Sequence, residues 1–192
     1  MINNALGFLL RTAFELVIFA ALLRFFFQLF RAPLKNPLAD FVIALTNFGV
    51  LPLRKFVPGL YGTDLSSLVF AWLLEIFLLV CLGLLGLAPV APSSAGGLLS
   101  IVLLAFVRLL EISLYMLIIA IFLQVVMSWV SPYNPLTGVI ATLTRPFLRP
   151  LQGRIPPVGN VDLTPLILVV ICQLIIMLPL SWLEALAFSI GR

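Results

Sequence analysis

Four long apolar runs divide this chain, covering residues 5–30, 65–87, 98–130 and 163–188. A helix needs about 20 apolar residues to cross the hydrocarbon layer of a bilayer. Each run is therefore predicted to hold one transmembrane helix. The first is cleanest after Arg11. The third is longer than a crossing requires, roughly 50 Å at about 1.5 Å per residue, and Arg108 and Glu111 interrupt it. Residues 98–107 are expected to lie partly outside or along the surface, and residues 112–130 to cross. Pro179 is expected to kink the fourth helix.

The stretches at 31–64 and 131–162 have a different rhythm. Leu38, Phe41, Val42, Leu45 and Phe48 alternate with polar residues at mostly helical spacing, as do Leu136, Val139, Ile140, Leu143 and Phe147. Such stretches form amphipathic helices, which Pro52, Pro146 and Pro150 divide into short pieces. Two arrangements fit and are compatible: lying in the membrane interface with cations outward, or packing on the protein's own face. The link at 89–97 is uncharged and turn-rich.

These two stretches are copies of one another. At a constant offset that carries Asn36 to Asn134, Pro37, Leu38, Leu45, Thr46, Pro52, Leu53, Pro58, Asp64, Leu65 and Leu68 all recur without a gap. The chain thus reads as an all-α membrane protein built from two units, residues 1–88 and 98–192, each a helix, an amphipathic basic loop and a helix. Arg31, Lys35, Arg54 and Lys55 lie in the first loop and Arg145, Arg149 and Arg154 in the second, whereas the middle link has no cation. The positive-inside rule puts both loops in the cytoplasm and both termini outside, although Arg11 and Arg192 fall on the outer side. The units then share one orientation and form parallel repeats.

Composition agrees with a membrane and narrows the chemistry. Hydrophobic residues make up 63% of the chain and charged residues 9%, against about half and a quarter in a soluble domain. The net charge is +4, and its placement beside apolar helices points to anionic lipid headgroups rather than nucleic acid. There is no His, which removes the commonest metal ligand and general base. Cys81 and Cys172 stand alone in apolar runs and read as small buried apolar residues. No nucleophile–base arrangement, phosphate loop or metal-binding spacing occurs. The expectation is therefore a protein that is not an enzyme and needs no cofactor.

The remaining polar residues fall into three groups. Asp64 and Ser66 before the second run, and Asp162 and Thr164 before the fourth, are candidate helix caps, with Pro165 suited to a first helical position. Arg24 and Glu75 lie inside the membrane in the first unit, and their second-unit equivalents are Ala120 and Gln173. The joint loss of both charges predicts an intramembrane ion pair between Arg24 and Glu75, with a proton or ion relay as the alternative. Gln124, the equivalent of Gln28, adds a further intramembrane polar group. Arg11 with Glu15, and Arg108 with Glu111, have the spacing of local helical pairs, and Glu184 beside Trp182 reads as an interface anchor.

The motifs NPL…LTN…LPLRKFVP…DLSSL and SWVSPYNPL…LTRPFLRP…IPPVGNVDLTPL closely resemble the two-copy bacterial form of the YggT family over nearly the whole chain. Two departures stand out: Asn47-Phe48-Gly49 replaces the usual T-x-P, and Gln152-Gly153 replaces a common basic pair. The resemblance implies a multi-pass protein of the bacterial inner membrane with no established enzymatic activity. It also implies links to cytochrome complex assembly and organelle nucleoids in plastid relatives, and to cell division and osmotic or potassium tolerance in bacterial ones. The residues themselves support an assembly or membrane-organising factor. Arg54, Lys55, Arg145, Arg149 and Arg154 are the candidate lipid- or partner-binding groups, and Asn36 and Asn134 set the loop starts. A membrane-protein partner and a homo-oligomer both fit. The alternative is an oligomeric ion channel or transport component using Arg24, Glu75, Gln124 and Gln173.

Overall fold

The computed structural model describes residues 2–57, 59, 63–88, 94–131, 134–154 and 162–191. Pro58, Pro156, residues 89–93 of the link and Arg192 lie outside them. The elements are α1 (Ile2–Leu29), α2 (Pro37–Leu53), α3 (Leu65–Leu84), α4 (Ala95–Val130), α5 (Pro135–Gln152), α6 (Thr164–Ile175), a π-helical turn (Ile176–Leu180) and α7 (Ser181–Ile190). No strand occurs among the described residues. Four stretches are long and apolar enough to cross a membrane: Asn3–Leu29, Leu65–Leu84, Ala95–Val130 and Thr164–Ile190.

The two units repeat one arrangement. In the first, α1 packs along α3 and α2 docks against both. In the second, α4 packs along α6 and α7, and α5 docks on α4 and α6. The halves meet chiefly where α3 lies against α4, with a smaller contact between α1 and α4. Small side chains permit these approaches, with Ala20, Ala21, Ala71, Ala105, Ala120 and Ala187 all buried. Lipid tails are as apolar as Leu, so close packing rather than hydrophobic exclusion holds such helices together. The main core combines Ile18, Leu22 and Phe27 of α1 with Val42 and Val50 of α2, and reaches Val139 of α5. Phe8, Phe77, Phe122, Trp129 and Trp182 point outward, as a lipid-facing surface allows.

The amphipathic stretches are folded onto the bundle. Ala39, Val42, Thr46 and Val50 form the buried side of α2, while Phe41, Phe48 and Leu51 face out. On α5, Val139, Ile140, Leu143, Thr144 and Leu148 are buried, while Arg145 and Arg149 are exposed. Each helix therefore packs one side on the protein's own face, the second of the two predicted arrangements, and leaves the other side to its surroundings. At Gly49 an added Cβ would stand 2.0 Å from the Phe70 ring. The departure at Asn47-Phe48-Gly49 thus lets the α2 backbone lie directly against the Phe70 ring of α3.

Three expectations about helix shape resolve differently. Pro52, Pro146 and Pro150 do not divide the docked helices into short pieces: α2 runs unbroken through Pro52, and α5 through Pro146 and Pro150. Residues 98–107 do not peel away: Leu98–Val107 continues the single helix α4, with Ile101 and Leu104 packed against Ala187 and Phe188 of α7. The clustering of apolar residues on that turn, and Gly96 beneath the Ile190 carbonyl at 2.7 Å from a would-be Cβ, hold it to α7. Pro179 does distort the fourth span, as a π-helical turn. The missing N–H of proline removes one rung of the helical ladder, and a wider turn accommodates the loss.

Candidate functional site

Asn36 and Asn134 open the two docked helices in the same way. Asn36 Oδ1 accepts the Ala39 N–H at 2.9 Å, and Asn134 Oδ1 accepts the Leu136 N–H at 2.9 Å. Proline follows each at the first helical turn, where a missing N–H costs nothing. The other end of each docked helix is tied to the next span. In the first unit Arg54 Nε donates to Asp64 Oδ2 at 2.8 Å, and its Nη2 contacts the same oxygen. In the second unit the equivalent Gln152 Nε2 donates to Asp162 Oδ2 at 3.3 Å. One clasp therefore occurs twice, as an ion pair and as an amide–carboxylate bond. The substitution of Gln152 for a basic residue changes its strength and keeps its geometry.

This geometry corrects the capping assignment in part. Asp64 occupies the N-cap position of α3, but its carboxylate accepts no bond from the helix's free N–H groups. It is spent on Arg54 instead. Burial pushes the Asp64 carboxyl up, but hydrogen bonding and charge from Arg54, with smaller help from Ser66 and Arg24, hold it below its ordinary value. Ser66 is no cap either, because its hydroxyl donates to the Val57 carbonyl at 2.9 Å. Asp162 does serve the helix start: its Oδ1 accepts the Thr164 N–H at 2.9 Å. Bonds from Thr164 lower its carboxyl below the usual range. Thr164 is the first residue of α6 and not its cap.

Arg24 and Glu75 do not pair. Arg24, 4% exposed, reaches toward α2: Nη1 donates to Thr46 Oγ1 at 2.9 Å and to Asn47 Oδ1 at 2.9 Å, and Nη2 lies 3.9 Å from Asp64 Oδ2. Gln28 adds to this polar seam by accepting the Asp64 N–H at 2.8 Å. In the second unit Gln124 takes over Arg24's task, receiving the hydroxyl of Thr144, the equivalent of Thr46. The loss of Arg24 at Ala120 is therefore compensated one turn further along α4, and the matching loss of Glu75 is unrelated to it. Thr46 and Thr144 were absent from the sequence-derived candidates, although their recurrence in the repeat was visible.

Glu75 faces the opposite end of the bundle. It is 4% exposed and lines a cavity of about 300 Å³ with Arg11, Glu15, Arg108, Glu111 and Tyr115. Its Oε2 has no hydrogen-bond partner among the described residues. Arg108 Nη1 bonds Glu111 Oε2 at 2.8 Å, as the helical spacing predicted, and its Nε lies 3.3 Å from Glu184 Oε1. Glu184 is thus paired with Arg108 across α4 and α7. The predicted Arg11–Glu15 pair does not form among the described residues. Gln173, the equivalent of Glu75, is exposed on the outside of α6.

The cations of the docked helices lie on the surface. Lys55, Arg145, Arg149 and Arg154 are exposed, and none of them forms an ion pair among the described residues. Arg145 and Arg149 line a shallow groove with Phe30, Pro146 and Pro150. No cluster of His, Cys, Asp or Glu among the described residues has the geometry to hold a metal ion. Cys172 is buried, Cys81 is half-buried, and both are free.

Two similar helix–docked helix–helix units, clasped alike, define a multi-pass, all-helical membrane protein built by duplication. The family model CCB3/YggT matches residues 3–85 and 103–183, one match per unit, and the chain belongs to that family. An uncharacterised protein of Pseudomonas aeruginosa is 31% identical over 186 residues, covering 96% of this chain and 92% of its own. An uncharacterised protein named YggT from Escherichia coli K12 is 31% identical over 174 residues, covering 90% of this chain and 87% of its own. A Vibrio alginolyticus protein is 30% identical over 166 residues, covering 86% and 88%. No solved structure matches.

Proposed function

We propose that this protein is a non-catalytic assembly or organising factor of the bacterial inner membrane, which offers the outer side of α5 to a membrane-protein partner and to anionic headgroups. One observation carries the reading. Arg145, Arg149 and Arg154 remain exposed and unpaired among the described residues, on a segment whose apolar side is fixed to the bundle. Cations held on a rigid support recognise a partner at low entropic cost. The concentration of Lys and Arg beside α2 and α5 favours a cytoplasmic location for both, by the positive-inside rule. The processes implied by the family resemblance, cytochrome complex assembly, division and osmotic or potassium tolerance, fit such a factor. The test is crosslinking of the tagged native protein in its membrane, followed by mass spectrometry, beside Arg145→Glu/Arg149→Glu/Arg154→Glu. A reproducible partner that the triple variant loses is expected. Identical crosslinks from both proteins contradict the reading.

A second reading rests on Glu75. A buried carboxylate inside a spanning helix, facing a polar cavity, is the usual signature of ion or proton handling. An oligomeric ion-transport component would lose flux in liposomes on Glu75→Gln while keeping its assembly. Unchanged flux, or none in the wild type, rejects it.

A further inference from the structure

A recess of about 360 Å³ opens between the two units. Phe26 of α1, Phe30 just beyond its end, Leu117 and Ala120 of α4, Phe147 of α5, and Pro179 and Leu183 around the π-helical turn line it. Its one polar lining group, the Ser113 hydroxyl, is spent on the Leu109 carbonyl at 2.7 Å. Along α4 the recess runs from Leu110 to Ala120, a rise of about 15 Å. That is the depth of one leaflet, half of a hydrocarbon core about 30 Å thick.

At its α5 end the recess meets the groove that holds Arg145 and Arg149: Phe30 lines both, and Pro146 of the groove adjoins Phe147 of the recess. Neither lining contains an acidic residue. Guanidinium groups suit phosphate because their planar donors match its oxygens, and basic pockets between spanning helices bind anionic lipid headgroups. A spanning helix from another protein would need a trough about 30 Å long, about twice the length of this recess along α4.

We infer that recess and groove together bind one anionic phospholipid, with an acyl chain along α4 and the phosphate between Arg145 and Arg149. The inference rests on reading the outer side of α5 as a basic recognition surface, but it requires no protein partner. The first unit cannot duplicate the site, because Asn47 and Leu51 stand at the positions of Arg145 and Arg149. Lipid bound there would join the two units, since α1, α4, α5 and α7 all contribute.

The test is native mass spectrometry of the purified full chain in mild detergent, with added phosphatidylglycerol, phosphatidylcholine of the same chains, or glycerophosphoglycerol. The wild type is expected to hold one phosphatidylglycerol under conditions that strip phosphatidylcholine. Arg145→Gln/Arg149→Gln should weaken that binding roughly ten- to thirty-fold, at about a few-fold per surface cation, while Lys55→Gln leaves it unchanged. Leu117→Trp, which fills the recess, should displace the lipid with both arginines intact. Because Arg145 and Arg149 are exposed, their double variant folds even if Leu117→Trp does not, and thermal unfolding checks both. Equal retention of the two lipids, or equal loss in Lys55→Gln and the double variant, overturns the inference. So does glycerophosphoglycerol binding as tightly as the lipid, since the chain would then contribute nothing. A bound lipid without a crosslinked partner would reject the scaffold reading alone.

Discussion

Asp64 is the residue on which the first unit's polar interior converges, receiving Arg54 directly, standing near Arg24 and placing its own N–H on Gln28. Removing a buried acid from such a set leaves cations unpaired, at a cost of about 3 kcal/mol. Asp64→Ala is therefore expected to lower the thermal midpoint in detergent far more than Arg54→Gln, which installs the residue the second unit already uses. Equal shifts would mean that the clasp is not what Asp64 supplies. The same group sets an acid limit. Its folded-state carboxyl titrates below the ordinary carboxylate value, so its contribution is complete above about pH 4 and is lost as pH falls through the lower folded value. Asp64→Asn should flatten that acid limb of a stability–pH curve. Arg24 and Glu75 have no shared partner, so Arg24→Ala and Glu75→Gln should be additive within about 0.5 kcal/mol. A larger coupling would restore the pair that the sequence comparison suggested. That comparison failed for a physical reason. Joint loss of two charges is what a pair predicts, but depth and helix rotation decide contact, and here they send Arg24 to Thr46 and Glu75 into the opposite cavity.

At the scale of elements, α2 and α5 decide how each unit closes. Gly49 admits the Phe70 ring against the α2 backbone. Gly49→Leu should destabilise the protein by about 1–3 kcal/mol through overpacking, and Phe70→Ala in the same chain should recover part of it. No recovery would show that the close approach is not the cause. The spanning helices were legible from run length alone, because a bilayer imposes a minimum that few soluble helices meet. The docked helices were legible as amphipathic. Which side they would bury was not, because apolar residues on both sides of α2 suit either lipid or protein. The continuity of α4 was hidden by Arg108, whose charge reads as a boundary until Glu111 and Glu184 are seen to satisfy it.

Across the whole molecule, duplication accounts for most of the design, and the differences between copies show where each unit specialises. The clasp and the threonine contact occur in both. The polar cavity draws on α1, α3, α4 and α7, and the apolar recess on α1, α4, α5, α6, the π-helical turn and α7. The two cavities thus arise where the halves meet, and neither could be read from one unit's sequence. The exposed cations were legible as candidates, whereas the recess beside them needed three dimensions. All of this requires that the units lie parallel, with α2 and α5 on one side of the membrane. The direct measurement is labelling of single cysteines by a membrane-impermeant maleimide in intact cells and in inverted vesicles, with Cys81 and Cys172 replaced by Ser. Lys55→Cys and Arg154→Cys are predicted to react from the same side and Ser94→Cys from the other. Reaction of Lys55→Cys and Arg154→Cys from opposite sides would make the repeats inverted and contradict the account.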